Sequence, residues 1–490
     1  MRTCSFLLVL LLIGTNQQQD VFFPHTMTLE GRLTRADYER LFERTFEVPP
    51  GTRRIDIEYA VSGADRRTVV DLGLRGPSGL RGWSGGGKRS IFVSALGATP
   101  GYLPGAIEPG AWAVLLGVPN IRDGSDDTYQ VTVRLFDTDL PPATRVIRAQ
   151  PAWYAGDLHA HSGHSDGRAL SLAKAATPAP AHRVFDAAAA AGLDFVLLSD
   201  HNTASHWLDV DRLQPYYDSL LLLHGREITT YRGHANTVGE TAFTEFRLPG
   251  PAATPAGLLA AIAATGAFIS INHPLRPDDE TCMGCGWNVD SADTVRQVHG
   301  VEVINGALRG GSLDGWPFWA RLLTAGHRLT AVGGSDEHTV DAPLDQRVGT
   351  PTTVVFAREL SEAGIVEGLK SGRVYVRTQG ARGPGLEFSA ESTGVVYQMG
   401  ATMPAAASAR VTLRVELHGA EGRPSFASAT EGRQTLEWIR NGERFGSQPV
   451  GAGIHQRTVE ARGGDWFSVI VRDPTGQATV LSNAIYVRSR

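Results

Sequence analysis

Cysteine is scarce in this chain of 490 residues, which has three cysteines in all. Cys4 precedes an apolar run at the N-terminus, and the other two form a single C-x-x-C pair, Cys282 and Cys285. A closed zinc site built from cysteines needs a second such pair. A redox motif needs a strand followed by a helix start, whereas the residues around this pair are typical of a loop. The pair therefore favours a local disulfide in an exported protein over a metal or redox role.

Long apolar runs are also missing, apart from the one at residues 6–13. That run follows Arg2 and precedes small or polar residues, a pattern typical of a secretory signal, and it is too short to span a bilayer. The alternative is a buried N-terminal strand. We expect residues 1–19 to be a signal peptide and the protein to be secreted or periplasmic, with no membrane span.

No excess of positive charge is present, since 46 Lys and Arg residues face 51 Asp and Glu residues, for a formal net charge of -5. This balance argues against a protein that relies on attraction to nucleic-acid phosphates. We therefore expect no nucleic acid as a partner. The oligomeric state is left open by the sequence.

Three regions of the chain differ in their pattern. From 20 to 140, short alternating strands between Gly/Pro-rich turns predict an antiparallel β-sandwich with one short helix at 36–45. From 153 to 380, apolar strands alternate with helical stretches, which predicts a parallel α/β domain and favours a barrel. From 384 to 490, alternating strands and a hairpin signal at Asn441-Gly442 predict an immunoglobulin-like β-sandwich.

Histidine is concentrated in the central region, where 12 of the 15 histidines lie between His159 and His338. Five groups of histidines and acidic residues follow predicted strands, and in a parallel barrel such strand ends open on one face. A carboxylate at a buried strand end is costly unless it is paired or bound to metal. The groups therefore predict a site for several metal ions. They are D-L-H-A-H-S-G-H-S-D-G at 157–167, S-D-H-N at 199–202, E-(x)6-H at 227–234, N-H-P at 272–274 and G-S-D-E-H at 334–338.

These motifs, in this order, resemble those of the PHP (polymerase and histidinol phosphatase) superfamily. The resemblance implies a distorted (β/α)7 barrel that holds two to three divalent metal ions. It also implies that Glu227 bridges two ions, and it leaves His164 as an alternative to Asp166. By position, the implied metal ligands are His159, His161, Asp166, His201, Glu227, His234, His273, Asp336 and His338.

The regions on either side of the motifs resemble the exported CehA/McbA-type metallohydrolases, whose namesakes cleave a carbamate ester. This resemblance implies the three-part architecture of an N-terminal β-sandwich, a PHP barrel and a C-terminal β-sandwich. It does not specify the substrate.

The chemistry expected of such a centre is metal-assisted hydrolysis. Clustered divalent ions lower the pKa of a bridging water, so that hydroxide is available near neutral pH. Glu227 and Asp336 would act through this metal-bound hydroxide, and Arg276 could clamp an anionic group. This metal-assisted route needs no serine or cysteine nucleophile. Mixed histidine and carboxylate ligands suit zinc, manganese or iron.

Three hypotheses about function follow, of which the first two imply a small-molecule ester or phosphoester as the partner. The first is a secreted metal-dependent hydrolase of phosphoesters. The second is a carboxylester, amide or carbamate hydrolase that uses the same metal centre. The third is a non-catalytic metal-binding or carbohydrate-binding surface protein. Behind the ligands, Asp157 or Asp200 could orient an imidazole, or could simply cap a turn at a strand end.

Overall fold

The structure, a computed structural model, describes most of the chain in two compact units, Met1–Asp139 and Leu140–Arg490. The expected signal peptide, residues 1–19, lies outside the described residues. No helix in the described part of the chain is both long enough and apolar enough to cross a membrane. The described residues are 24–139, 145–250, 253–280, 282, 284–289, 291–306, 313–343, 347–380, 383–404, 409–419 and 434–488.

The first unit consists of two four-stranded antiparallel sheets, ordered β1-β8-β3-β6 and β2-β7-β4-β5. Apolar side chains from both sheets, such as Ile57 and Trp112, form one core. The alternation of buried and exposed residues along β8 is what one buried sheet face requires. The strands are β1 (His25–Thr34), β2 (Leu41–Val48), β3 (Arg54–Val61), β4 (Val69–Gly76), β5 (Gly79–Gly85), β6 (Ser90–Ser94), β7 (Gly110–Asn120) and β8 (Asp126–Phe136).

The helix predicted at 36–45 is wrong. A single 3-10 turn, Arg35–Asp37, is followed by strand β2, which pairs with β7 along its whole length. Asp37 accepts a hydrogen bond from the backbone N–H of Thr34, which stabilises the turn rather than a longer helix. Pairing with a neighbouring strand therefore prevails over local helix propensity in this segment.

The second unit contains the predicted metal-binding motifs and six α-helices among its described residues. The helices are α1 (Ala181–Ala190), α2 (Trp207–Leu213), α3 (Ala256–Ala263), α4 (Ala292–Val295), α5 (Trp316–Thr324) and α6 (Glu362–Ser371). Its strands before residue 380 are β9 (Val146–Arg148), β10 (Ala152–Asp157), β11 (Arg168–Leu170), β12 (Ala176–Pro178), β13 (Phe195–Leu197), β14 (Leu221–Leu223), β15 (Gly225–Thr230), β16 (Gly233–Val238), β17 (Phe268–Ile271), β18 (Gly300–Asn305), β19 (Thr330–Gly334), β20 (Thr352–Ala357), β21 (Leu360–Ser361) and β22 (Val374–Arg377).

The predicted fold class, an α/β protein with a distorted (β/α)7 barrel, is wrong. Most strands of the central region lie in two larger sheets, and β11-β12 and β9-β21 form two-stranded sheets of their own. None of these sheets closes into a barrel in the described part of the chain. One sheet has the order β15-β16-β17-β18-β19, and its first three strands are antiparallel neighbours. In the other sheet, β10 pairs in parallel with β13 but antiparallel with β20. A short hairpin joins β15 to β16 where the barrel would need a crossover helix.

The sheet that contains β10 and β20 continues past residue 380, because its strand β22 pairs with β31. This half of the sheet has the order β31-β30-β27-β28 and shares a core with the four-stranded sheet β24-β23-β26-β29. Asn441 and Gly442, both with positive φ, form the turn between β27 and β28. The remaining strands are β23 (Gly385–Ser392), β24 (Val395–Gln398), β25 (Thr402–Met403), β26 (Ala409–His418), β27 (Gln434–Arg440), β28 (Glu443–Val450), β29 (Gly453–Ala461), β30 (Trp466–Arg472), β31 (Ala478–Ser482) and β32 (Ile485–Val487).

The ends of strands from both sheets meet at one place. The residues after β10 and after β19 are joined by hydrogen bonds from His161 N to Glu337 O (2.9 Å) and from Asp336 N to His159 O (2.8 Å). Glu227 N in β15 donates to Ser199 O after β13 at 3.0 Å. These backbone contacts bring the polar segments that follow the strands into a single cluster.

Candidate metal centre

All nine predicted ligands lie in this cluster. Each belongs to at least one of four groups in which the potential ligand atoms lie within 4.8 Å of one another. The imidazole and carboxylate side chains of these groups could hold divalent metal ions, whereas Cys285 of the second group is in a disulfide and offers no thiolate. The groups are His161, Asp166, His201 and His338; His234, His273 and Cys285; His159, Glu227 and His273; and His159, His161 and Asp336.

Glu227 lies at the middle of the cluster and is fully buried. Its Oε2 lies 3.5 Å from His159 Nε2, 3.6 Å from His161 Nε2 and 2.8 Å from His201 Nδ1. Its Oε1 faces another imidazole, 3.3 Å from His273 Nε2. A carboxylate with histidines on both oxygens has the arrangement expected of a group that bridges two ions.

Asp336 faces the same imidazoles from the end of β19. Its Oδ1 lies 3.2 Å from His159 Nε2 and 3.3 Å from His161 Nε2. Asp336 and His273 both adopt positive φ, 52° and 27°, in a backbone region that residues other than glycine rarely occupy. Strained residues of this kind are concentrated at functional sites, where the surrounding structure holds them in place.

Buried polar atoms without partners show that these residues fit metal ions. Nε2 of His159, His161 and His234 and Oε2 of Glu227 make no hydrogen bond of acceptable angle among the described residues, although Glu227 Oε2 lies 2.8 Å from His201 Nδ1. Each such atom would cost about 1–3 kcal/mol if nothing bound it. Two ligands of a tetrahedral ion, each about 2.1 Å from it, lie about 3.4 Å apart. The distances of 3.2 to 3.6 Å between these imidazoles and carboxylates have that spacing.

The electrostatics of the cluster also favour a cation. Burial disfavours the charged imidazole of His159, but the carboxylates of Asp336, Glu302 and Glu227 outweigh it and raise the pKa of His159 well above its usual value. Burial acts to raise the pKa of Glu227, but the histidines around it hold that pKa well below its usual value. A site that stabilises a proton in this way also stabilises a metal ion, which replaces the proton on binding.

Asp166 and His164 are placed differently. Asp166 Oδ1 lies 3.4 Å from His338 Nε2 and 3.7 Å from His201 Nε2, at the exposed edge of the cluster. His164 instead lies 2.9 Å from Asp209 Oδ2 and outside the four groups. The geometry therefore favours Asp166 over His164 as the ligand from this loop.

The two carboxylates that could orient an imidazole cap turns instead. Asp157 accepts hydrogen bonds from the backbone of His159, Ser335 and Gly349 at 2.7 to 3.0 Å. Asp200 accepts hydrogen bonds from the backbone N–H groups of Ser162 and Ser165, and so holds the loop that carries the first motif. Both carboxylates position the backbone of the ligands rather than their rings.

Glu302 is the carboxylate that orients the imidazole of a candidate ligand, and it is absent from the predicted site. Its Oε1 lies 3.0 Å from His159 Nδ1, and its side chain is almost fully buried. The signal in the sequence was a lone acidic residue inside the apolar strand at 301–304. A buried charge in such a strand requires a partner.

A cavity of about 740 Å³ opens beside the cluster. Its lining includes Arg276, Asn305, Asp336 and His338 together with the apolar residue Leu313. Arg276 donates to Asp336 Oδ2 at 3.0 Å and to Asn305 Oδ1 at 2.6 Å. The cavity therefore combines a guanidinium with the candidate metal ligands on one wall.

The Cys282–Cys285 pair forms a disulfide in the structure. Its loop packs on the site, since Cys285 O lies 3.2 Å from His273 Nδ1 and Trp287 N donates to Pro274 O at 3.0 Å. The predicted local disulfide therefore lies directly behind one candidate ligand.

Comparisons with known proteins identify structural neighbours but no family. No family model and no curated protein matches the chain. Nine solved chains match it. One is a two-domain protein from Bacteroides vulgatus that contains a predicted PHP-like metal-dependent phosphoesterase; it is 18% identical, with 70% of this chain and 98% of that chain covered and a TM-score of 0.37.

Two further neighbours are more distant. A metal-dependent phosphoesterase, assigned by prediction, from Bifidobacterium adolescentis is 17% identical, with 38% of this chain and 88% of that chain covered and a TM-score of 0.26. A periplasmic inhibitor of g-type lysozyme from Aeromonas hydrophila is 15% identical, with 23% and 88% covered and a TM-score of 0.17. Likenesses this low carry no argument about function, which has to be drawn from the site.

Proposed function

We propose that this chain is a metal-dependent hydrolase of the PHP type that acts on phosphoesters. The observation that carries the proposal is the set of buried imidazole and carboxylate atoms without hydrogen-bond partners, which converge beside a cavity that Arg276 lines. A purely structural cluster would pair these atoms with one another. Unpaired atoms on side chains that also group within 4.8 Å of one another are those expected of ligands.

The nine residues of the cluster would hold the ions, with Glu227 between them. Bound divalent ions would supply Lewis-acid activation of water and of the substrate oxygen. Glu227 and Asp336 contribute by keeping the imidazoles around them in place and by balancing the positive charge of the centre. Asp157 and Asp200 hold the backbone on which those ligands stand.

Arg276 favours a phosphoester over an uncharged ester or carbamate. A guanidinium has five N–H donors in a planar fork that matches phosphate oxygens. Asp336 and Asn305 accept two hydrogen bonds from Arg276, and its side chain is 40% exposed beside the cavity. An anionic substrate at the metal cluster would meet this charge, and a neutral carbamate would gain little from it.

Metal analysis combined with a substrate panel tests the proposal. We expect wild-type protein to hold about two to three divalent ions per chain, as nine ligands allow. It should hydrolyse aryl phosphoesters in preference to aryl carboxylesters and carbamates. His159→Ala and Glu227→Ala should lose metal and turnover together.

A matched control is Glu362→Ala, which removes a buried carboxylate elsewhere in the same unit. It should keep its metal. A wild-type protein that holds no metal after reconstitution would overturn the proposal, and the binding-protein hypothesis would replace it. Full metal with turnover of carboxylesters or carbamates alone would overturn the phosphoester assignment.

Export of the protein is part of the same proposal and rests on the N-terminal pattern at residues 1–19. N-terminal sequencing of protein recovered from outside the cytoplasm would test it. A mature protein that begins near residue 20 is expected. An intact N-terminus on cytoplasmic protein would contradict export.

A further inference from the structure

Strand β18 carries two buried polar residues, Glu302 and Asn305, in an otherwise apolar sequence. Residues three apart in a regular strand point to opposite faces. Here the pairing of β18 with β19 is irregular, because Glu302 pairs with Val332 whereas Ile304 pairs with the next residue, Gly333. The extra residue brings Asn305 Nδ2 to 2.9 Å from Glu302 Oε2. Such bulges commonly redirect side chains beside active sites.

Glu302 receives hydrogen bonds on both of its oxygens. Oε1 lies 3.0 Å from His159 Nδ1, while Oε2 accepts from the backbone N–H of His273 and from Asn305 Nδ2, each at 2.9 Å. A carboxylate at Nδ1 requires the proton of the neutral imidazole to be there. The lone pair of His159 is then on Nε2, which faces Glu227 and Asp336.

Asn305 extends this network to the cavity. Its Oδ1 accepts from Arg276 Nη2 at 2.6 Å, and Arg276 Nη1 donates to Asp336 Oδ2 at 3.0 Å. Asp336 Oδ1 in turn lies 3.2 Å from His159 Nε2, so the contacts form a closed ring. The amide of Asn305 has one allowed orientation, because a flipped amide would turn its NH₂ group towards the guanidinium and its oxygen towards the carboxylate.

We propose that Glu302 and Asn305 are positioning residues that couple the metal ligand His159 to Arg276. Glu302 fixes the tautomer and the angle of the imidazole. Asn305 holds the guanidinium in the wall of the cavity beside the cluster, where it could bind a phosphoryl group. The inference rests on the proposed function, since it assigns Arg276 to the substrate. It goes beyond that function because it assigns to one strand, β18, both the residue that orients a metal ligand and the residue that orients the substrate-binding arginine.

Metal affinity tests the part played by Glu302. Glu302→Gln keeps the size of the side chain. In wild type the donors bind both carboxylate oxygens, whereas the amide of glutamine has only one acceptor oxygen. We expect the affinity for zinc or manganese, measured by competition with a chelator, to fall about 10- to 100-fold. Glu362→Gln is the matched control, because Glu362 is also a buried carboxylate beside a histidine, His224. It should leave metal affinity unchanged.

A double-mutant cycle tests the part played by Asn305. Asn305→Ala should raise KM for an aryl phosphoester about tenfold, with kcat and metal content close to those of wild type. The same substitution made in an Arg276→Ala background should have no further effect on KM, because the effect of Asn305 on substrate binding passes through the arginine. Binding of inorganic phosphate to metal-loaded protein gives the same cycle without turnover. Circular dichroism spectra identical to wild type establish that the variants fold.

The outcomes separate this inference from the proposed function. Metal affinity within threefold of wild type in Glu302→Gln, or additive effects of Asn305→Ala and Arg276→Ala, would overturn the coupling while the hydrolase proposal stood. Wild-type protein without metal would overturn both. Weakened metal binding in Glu302→Gln, together with non-additive effects of Asn305→Ala and Arg276→Ala, would establish the positioning roles of Glu302 and Asn305.

Discussion

His273 Nδ1 lies 3.2 Å from the carbonyl oxygen of Cys285, so that the disulfide loop holds one candidate metal ligand from behind. The loop is fixed at a second point, because Asn288 N donates to Arg232 O at 3.1 Å, beside the turn between β15 and β16. That hairpin carries Glu227 and His234. The disulfide therefore supports residues on both sides of the centre.

Removing the disulfide should weaken metal binding rather than unfold the protein. In Cys282→Ser/Cys285→Ser the carbonyl remains, but the loop that presents it gains freedom. We expect metal affinity to fall about tenfold, as is usual when the partner of a ligand histidine is disturbed. Chelator competition would measure the loss. A non-thiol reductant should cause the same loss of metal affinity in wild type and have no effect on the double variant. Unchanged metal affinity in the double variant and in reduced wild type would show that the disulfide is not needed for metal binding.

Gly334 lies against the ligand that Glu302 orients. A Cβ added at this position would lie 2.3 Å from His159 Cβ and 2.6 Å from Glu302 Oε1, distances that require the imidazole to move. Gly334→Ala should therefore lower both metal affinity and turnover at least tenfold and destabilise the fold by about 2 kcal/mol. Gly257→Ala, whose Cβ would have no neighbour within 4 Å, is the matched control and should retain its metal. Equal metal affinity in the two variants would contradict the prediction that a methyl group at position 334 displaces the imidazole of His159.

Asp166 and His164 lie in one loop and offer a direct choice between two candidate ligands. Asp166 faces His338 and His201, whereas His164 is hydrogen-bonded to Asp209 and Ser205. Asp166→Ala should lose about one ion per chain by elemental analysis and lose turnover with it. His164→Ala should keep both metal content and turnover. The reverse pattern would assign the position to His164.

The candidate ligands could be predicted from the sequence because each motif is local. A histidine or acidic residue directly after an apolar strand is visible in a few residues, as in 334–338, and the strands then bring the motifs together. Glu302 was missed because it acts from inside a strand, where nothing adjacent in the chain reveals its partner His159, 143 residues earlier. Its burial among apolar residues was the available signal.

Whether the strands form a barrel could not be predicted in the same way, because periodicity identifies strands but not the direction in which they pair. Two apolar segments of the sequence, 221–228 and 235–239, have no helical stretch between them. That spacing is compatible with a hairpin and leaves no room for the crossover that a parallel pair needs. The antiparallel pairing of β15 and β16 was thus indicated by the short connection at Tyr231, and the alternation of strands and helices elsewhere obscured it.

His224 gives the fold a stability that depends on pH. Its Nδ1 lies 3.0 Å from Glu362 Oε2 and its Nε2 lies 3.4 Å from Asp211 Oδ1. Burial acts to lower the pKa of this imidazole, but Glu362 and Asp211 outweigh it and raise the pKa to about 10. The charged imidazole thus joins α6 to the segment before β15, away from the metal ligands.

The sign of the effect follows from the unfolded state, in which a histidine has a pKa of about 6.5. Because the folded pKa is higher, the stabilisation is fully present below about pH 6.5 and is lost as the pH rises towards about 10. His224→Gln should therefore lower the unfolding temperature markedly at pH 6, where it leaves a buried carboxylate without its charged partner. The difference from wild type should shrink steadily up to pH 10. Thermal unfolding of the two proteins in parallel measures it, and a difference that stayed constant with pH would show that His224 is held neutral between its carboxylates.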